Sequence, residues 1–220
     1  MSNETSLKPK GARMTQAERT AVSDRKMFDA AIALINEHGI QKTTLKDIGE
    51  RAGYSRGLAN YRFGSKDGLM LELFEIFDES WKAHLHSYVG EAVGLEAVTQ
   101  AANALRDFLK KESNYMRAMY LLWYECVGHD SDMRFTLASH HDVYRNDAQR
   151  WLEQGIERGK INATIEPKQF ALQYCAFIFG IVYQWLVNPA ALDLDEAFSG
   201  YIANATTLLK KPDETEERYQ

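Results

Sequence analysis

The chain has few of the residues that staple, kink or cleave. Its two cysteines among 220 residues, Cys126 and Cys175, stand far apart in apolar surroundings. Neither has the CxxC or Cys/His spacing that holds zinc, so no disulfide framework or metal knuckle is expected. Both read as buried thiols of a reducing compartment. Residues 1–20 hold no apolar run, so no secretory leader is expected and a cytoplasmic protein is. GxSxG, HExxH, a phosphate loop and a dinucleotide fingerprint are all missing, and the carboxylates scatter over outer faces. No catalytic residue, cofactor or metal is assigned, and an enzyme is not expected. Alternating strand patterns of useful length are absent as well, which leaves an all-α chain.

Long uncharged runs are also scarce. One stands out over 170–187, FALQYCAFIFGIVYQWLV, near the lower limit for a membrane span. Gln173 and Gln184 would be costly in lipid, and no Lys/Arg cluster flanks the run asymmetrically, so no span is expected. A helix apolar all round must be covered on every side, and in a small domain a second copy of the chain is the simplest cover. The run therefore argues for a homodimer.

Acids outnumber bases by a net charge of −5, which by itself argues against a polyanionic partner. The excess is unevenly shared, because residues 1–70 carry +4 and the remainder −9. A basic head on an acidic body is the pattern of a nucleic-acid footprint joined to something else.

Within that head, residues 43–69, TTLKDIGERAGYSRGLANYRFGSKDGL, read as two short helices joined by a glycine turn with a longer one behind. Thr44 begins a Thr-x-x-Asp pattern, so its hydroxyl serves as an N-cap while Asp47 sits in the positive first turn. Leu45, Ile48 and Ala52 form one buried stripe, and Gly53 follows where a helix end needs positive φ. Ser55 caps a second helix to about Phe63. Two helices of this size across so short a turn match a helix-turn-helix, whose second member enters a major groove. An earlier helix over Ser23–His38 shows Met27, Ala31, Leu34 and Ile35 on one face. Ser65 caps a fourth helix running to about Tyr88; its Leu69, Leu73, Ile76, Phe77 and Trp81 recur at helical spacing as one face of a connector between two domains.

The spacing gives the organisation 1–20 flexible arm, 21–70 DNA-binding domain, 71–210 helical regulatory and dimerisation domain, 211–220 disordered tail. Body helices are expected near Leu95–Lys111, Ser113–Val127, Asp132–Arg158, Pro167–Val187 and Asp193–Lys210. Residues 115–127, YMRAMYLLWYECV, are richer in aromatics than a plain core requires. Met119, Tyr120, Trp123 and Tyr124 could line a site for something planar or greasy, faced by Phe108, Tyr144, Trp151, Tyr174 and Phe177; the same residues could equally pack a core. Glu125 could counter a cationic ligand or pair with Arg117. His140, His141 and Asp142, with His129, Asp130 and Asp132, lack an i, i+4 histidine pair and read as an exposed polar face rather than a metal site.

The run from Met27 to Leu69 resembles the amino-terminal signature of the TetR family of bacterial repressors. The Ala-Ala of the first helix, Gly39, Thr43-Thr44, Ile48, Ala52-Gly53, Ser55, Phe63 and Ser65-Lys66 all stand at matching spacing. The resemblance implies about nine helices, a double-stranded, near-palindromic DNA operator as partner, and a small-molecule effector whose binding in the body swings the fourth helix and releases the DNA. It implies DNA contacts from Thr44, Ser55, Arg56, Gly57, Leu58, Asn60, Tyr61, Arg62 and Lys66. Of these, Arg56 and Arg62 can fork onto guanine or phosphate, Asn60 can bond adenine, and Thr44 and Lys66 suit phosphates. It also implies a dimer surface on the last two long helices, at Phe177, Ile181, Trp185 and Phe198, then Tyr201, Ile202, Ala205 and Leu208. Ala59-Asn60 and Arg62 depart from residues common in the family. An alternative reading keeps the same head on a body that senses nothing, a DNA-organising protein.

Overall fold

The computed structural model describes residues 14–128 and 131–211. Lys8, Lys10 and Arg13 of the expected arm, His129, Asp130, and the tail over 212–220 lie outside the described residues. Among the described residues are nine α-helices and no strand, an all-α architecture. The chain divides into two compact units, Met1–Leu69 and Met70–Gln220.

The first unit holds α1 (Gln16–His38), α2 (Leu45–Arg51), α3 (Arg56–Phe63) and the start of α4 (Lys66–Val89). Helix α1 starts earlier than its apolar periodicity suggests, so residues 16–20, expected in an arm, are helical. The cause is local: Thr15 and Glu18 form a reciprocal capping box, satisfying two orphan amides ahead of the amphipathic stretch. Met27, Ala31 and Ile35 of α1 and Ile48 of α2 are wholly buried, and the rings of Phe28 and Phe63 meet at 5.5 Å. On the surface, Arg51 forks onto Glu37 through bonds of 2.5 and 2.6 Å.

The second unit contains α5 (Leu95–Lys111), α6 (Ser113–Val127), α7 (Asp132–Glu157), α8 (Pro167–Val187) and α9 (Leu194–Leu209), with most of α4. Val98 and Ala101 of α5, Leu152 of α7, Phe170 and Ala171 of α8 and Leu209 of α9 meet in one apolar core. Where α5 begins, backbone approaches backbone: the Gly94 amide donates to the Trp151 carbonyl at 2.7 Å. A side chain built at Gly155 would stand 2.6 Å from the Gly94 Cα. A second, aromatic layer forms around Phe77, whose ring lies 5.9 Å from those of Phe108 and Trp123 and 5.4 Å from that of Tyr115.

Helix α8 is the one helix among the described residues long and apolar enough to cross a membrane, by length and composition. The single chain covers only one side of it. Tyr174, Cys175, Ile181, Val182 and Leu186 are buried, while Leu172, Tyr183 and Val187 are exposed.

Candidate DNA-reading face and internal cavity

Helix α3 is set by local chemistry at both ends. The Ser55 hydroxyl accepts the Leu58 amide at 3.2 Å, and Gly64 closes the helix at φ 69°. Before it, Gly53 takes φ 80° and the Tyr54 amide donates to the Gly49 carbonyl at 2.7 Å. A Cβ on Gly49 would meet the Ser55 carbonyl oxygen at 3.0 Å, so α2 sits tight against the turn. Ala59 and Phe63, one turn apart, form the buried face. Arg56, Gly57, Leu58, Asn60 and Tyr61 therefore point outward, Tyr61 with 89% of its surface exposed. Arg56 makes no ion pair among the described residues, which leaves its guanidinium available.

Three of the other expected contact residues are otherwise engaged. Arg62 turns back into the unit, its Nε donating to Asp24 Oδ2 at 2.9 Å and its guanidinium 5.0 Å from the Phe63 ring. Position 62 falls between the exposed and buried faces, and the carboxylate on α1 draws the long side chain inward, against the expectation that it reads bases. Lys66 is half-buried and its Nζ donates to the Ile40 carbonyl at 3.2 Å, so it ties α4 to the loop after α1. The exposed Thr44 is the N-cap of α2, accepting the Asp47 amide at 3.2 Å and donating to Asp47 Oδ2 at 2.7 Å.

The second unit encloses a cavity of about 70 Å³. Five of the residues anticipated from the aromatic pattern line it: Tyr120 and Trp123 of α6, Tyr144 and Trp151 of α7, Tyr174 of α8. Burial pushes the phenols of Tyr120, Tyr144 and Tyr174 well above the ordinary tyrosine range, so they are neutral hydrogen-bonding groups. Cys175 also faces the cavity, its thiol pushed up to about 11 by burial. Asp147 is the only carboxylate in the lining, and its Oδ1 is held at 2.5 Å by the exposed Arg150.

The remaining anticipated ligand residues lie elsewhere. Phe108 sits behind the wall, 5.5 Å from the ring of Trp81, and Met119 is wholly buried outside the lining. Tyr124 is 53% exposed, on the outer side of α6 against Tyr183. Phe177 stacks at 4.0 Å on Tyr201, away from the cavity. Met119, next to Tyr120, is turned about 100° around α6, while Phe108 lies on α5 one turn past the lining Leu105. Arg117 donates to the Leu186 carbonyl at 3.0 Å, and Glu125 is not in the lining.

Walls missed from sequence come from α8, with Cys175, Ile178, Phe179 and Val182, and from α4, where Phe77, Trp81 and Leu85 recur at i, i+4, i+8. That spacing was visible but read only as the face of a connector. The His140-His141 pair is not an exposed polar face either. His140 Nδ1 lies 2.6 Å from Asp78 Oδ1, and the His141 ring packs 4.6 Å from that of Phe179.

Among the anticipated dimer residues, Ile181, Phe198 and Ala205 are buried within the single chain. Trp185, Tyr201 and Ile202 are half-buried and Leu208 is exposed. The apolar stripe of α9 that packs against α5 takes Phe198 and Ala205 inward, so the uncovered faces are carried by neighbouring positions: Leu172, Ala176, Tyr183 and Val187 on α8, Ala203 and Thr207 on α9.

Comparison with known proteins bears on this arrangement. Residues 28–73 match the family model described as bacterial regulatory proteins, tetR family. The HTH-type transcriptional regulator AcrR of Shigella flexneri is 25% identical over 207 residues, 87% of this chain and 91% of that one. Among solved structures, the fatty acid degradation regulator FadR from Bacillus halodurans superposes with a TM-score of 0.71 at 18% identity, covering 90% of this chain and 96% of its own. A SmeT–triclosan complex gives 0.70 at 20% identity, covering 86% and 92%. With the tetR-family signature matched over α1–α4 and the likeness to AcrR running through the body, the chain carries a TetR-type helix-turn-helix head and is a DNA-binding transcriptional regulator rather than an enzyme.

Proposed function

We propose that the protein is a homodimeric repressor that holds a near-palindromic operator through α3 and lets go when a small, largely apolar or aromatic molecule occupies the cavity of the second unit. The observation that carries the reading is the aromatic-walled cavity itself, which α4, α6, α7 and α8 enclose with neutral phenols and indoles. A SmeT–triclosan complex in the same fold supports an effector of this chemistry. The uncovered apolar face of α8 and α9 supports the dimer, since obligate interfaces are apolar and helices carrying such faces cover one another. A two-fold pair sets two α3 helices about 34–36 Å apart, one turn of duplex.

On α3, Arg56 and Asn60 supply base-edge bonds, and Tyr61 meets sugar or phosphate. The experiment selects duplex fragments with the pure protein, then asks whether triclosan and a panel of apolar aromatics release them. Arg56→Ala and Tyr61→Ala should each lose specific binding while sedimenting as dimers; retained operator affinity in both refutes the assignment of α3. Affinity should fall steeply with salt as phosphate contacts release counterions. If no panel compound raises the melting temperature or frees DNA, the alternative of an effector-blind DNA-organising protein is favoured.

A further inference from the structure

Asp78 is 4% exposed, on the α4 face that also carries the buried Phe74 and Phe77. A leucine would serve packing better there, because a carboxylate taken from water must be repaid by close partners. Its partners come from two helices. Lys82, one turn on along α4, holds Oδ2 at 2.6 Å. From α7, His140 Nδ1 stands 2.6 Å from Oδ1, and the Tyr144 hydroxyl reaches the same oxygen at 3.5 Å. Tyr144 is also a wall of the cavity. One phenol therefore touches both the cavity and the charge that fixes α4 against α7.

We propose that Asp78, clasped by His140 and reached by Tyr144, is the residue through which α4 senses whether the cavity is occupied; the inference rests on the effector reading above. The Tyr144 contact is the longest of the three and so the most easily lost or tightened. A molecule that presses on this ring or bonds its hydroxyl changes the set of donors around a carboxylate that is only 4% exposed. An oriented polar cluster of this kind is satisfied at one setting of two helices and not at neighbouring ones, which makes it a two-state element rather than a soft contact. Occupant and clasp are then linked by differential affinity, as any ligand-driven shift requires. Helix α4 is continuous from Lys66 to Val89, so a change at Asp78 is carried along one helix.

The test uses the full chain, an operator fragment selected as above, and a built-in occupant. Ala101 is 2% exposed and lines the cavity, so Ala101→Phe places a ring inside it. In the wild-type background Ala101→Phe should weaken operator binding at least tenfold. In the Tyr144→Phe and Asp78→Asn backgrounds the same substitution should cost less than threefold, with far-UV circular dichroism showing all variants folded. A double-mutant cycle isolates the coupling, and a merely structural Asp78 would lower melting temperatures without changing it. Equal losses in all three backgrounds overturn the proposal and leave the effector reading standing. No loss in a folded wild-type Ala101→Phe overturns both. Ala101→Leu, a smaller occupant, is judged by the same comparison where the phenylalanine does not fold.

Discussion

Replacing Gly155 with alanine gives a sharp test of the second unit's packing. The new Cβ would stand 2.6 Å from Gly94 Cα, 3.0 Å from Gly94 N and 3.3 Å from Ile161 Cδ1, where ordinary contact begins at 3.4 Å. Two effects compete. Alanine improves helix propensity by up to about 1 kcal/mol, while overpacking costs about 1–3 kcal/mol. The clash wins, because the two closest atoms belong to backbone, which has no rotamer to escape into, and because Gly94 at φ 62° cannot readily shift its own conformation. Moving it also strains the Gly94–Trp151 bond that positions a cavity wall. A net loss of about 1–2 kcal/mol lowers the melting temperature by about 2–8 °C for a chain of this size. Gly57, on an exposed helix surface, is the internal control: a Cβ there meets only Ser55 Oγ, at an ordinary 3.7 Å, so Gly57→Ala should keep or raise the melting temperature. Far-UV circular dichroism melts read both. A Gly155→Ala protein that melts at or above wild type refutes the close-approach argument.

Three further outcomes are expected. Phe63→Ala should cost about 3–5 kcal/mol and unfold the first unit, while Tyr61→Ala, two residues away and exposed, should change stability by less than about 0.5 kcal/mol; denaturant titration separates them, and equal effects would mean α3 is rotated. His141 is held below its ordinary value of 6.5 by burial, with Arg145 and His140 adding to the effect. The unfolded chain then takes that proton first, so this contribution is full above about pH 6.5 and is lost as pH falls through the folded value. Melts from about pH 7 down to about pH 5 should show a decline that His141→Gln flattens. Cys175, with its thiol pushed up to about 11, should resist alkylation in the native state and react on unfolding; rapid native labelling would show that water reaches the cavity wall freely.

The reading unit was legible because its signals are local. Thr44, Gly53 and Ser55 each act within a turn of themselves, and the helices α2 and α3 begin and end where those residues dictate. The intramolecular partners of Arg62 and Lys66, Asp24 and the Ile40 carbonyl, lie 38 and 26 positions away, beyond any pattern of neighbours. The surplus of aromatics on α6 announced Tyr120 and Trp123, whereas Phe77 and Trp81 looked like the seam of a connector. The Asp78–His140 pair spans 62 positions, and two adjacent histidines on a polar helix say nothing of a carboxylate that far back. Ile181, Phe198 and Ala205, which the resemblance assigned to a dimer surface, are covered within the single chain, and burial by the same chain and burial by a second copy leave an identical trace in sequence.

The tightness of the cavity shapes how the regulator responds. At about 70 Å³ it is far smaller than a drug-sized occupant needs, given the roughly 300–1,000 Å³ of typical small-molecule sites. On the proposed reading, no effector can enter and leave the walls at rest. On that reading an occupant larger than the resting cavity must displace the helices that wall it, so binding and movement are coupled. If the proposed effector reading holds, the work of prying the helices apart is subtracted from affinity and raises the concentration needed for release.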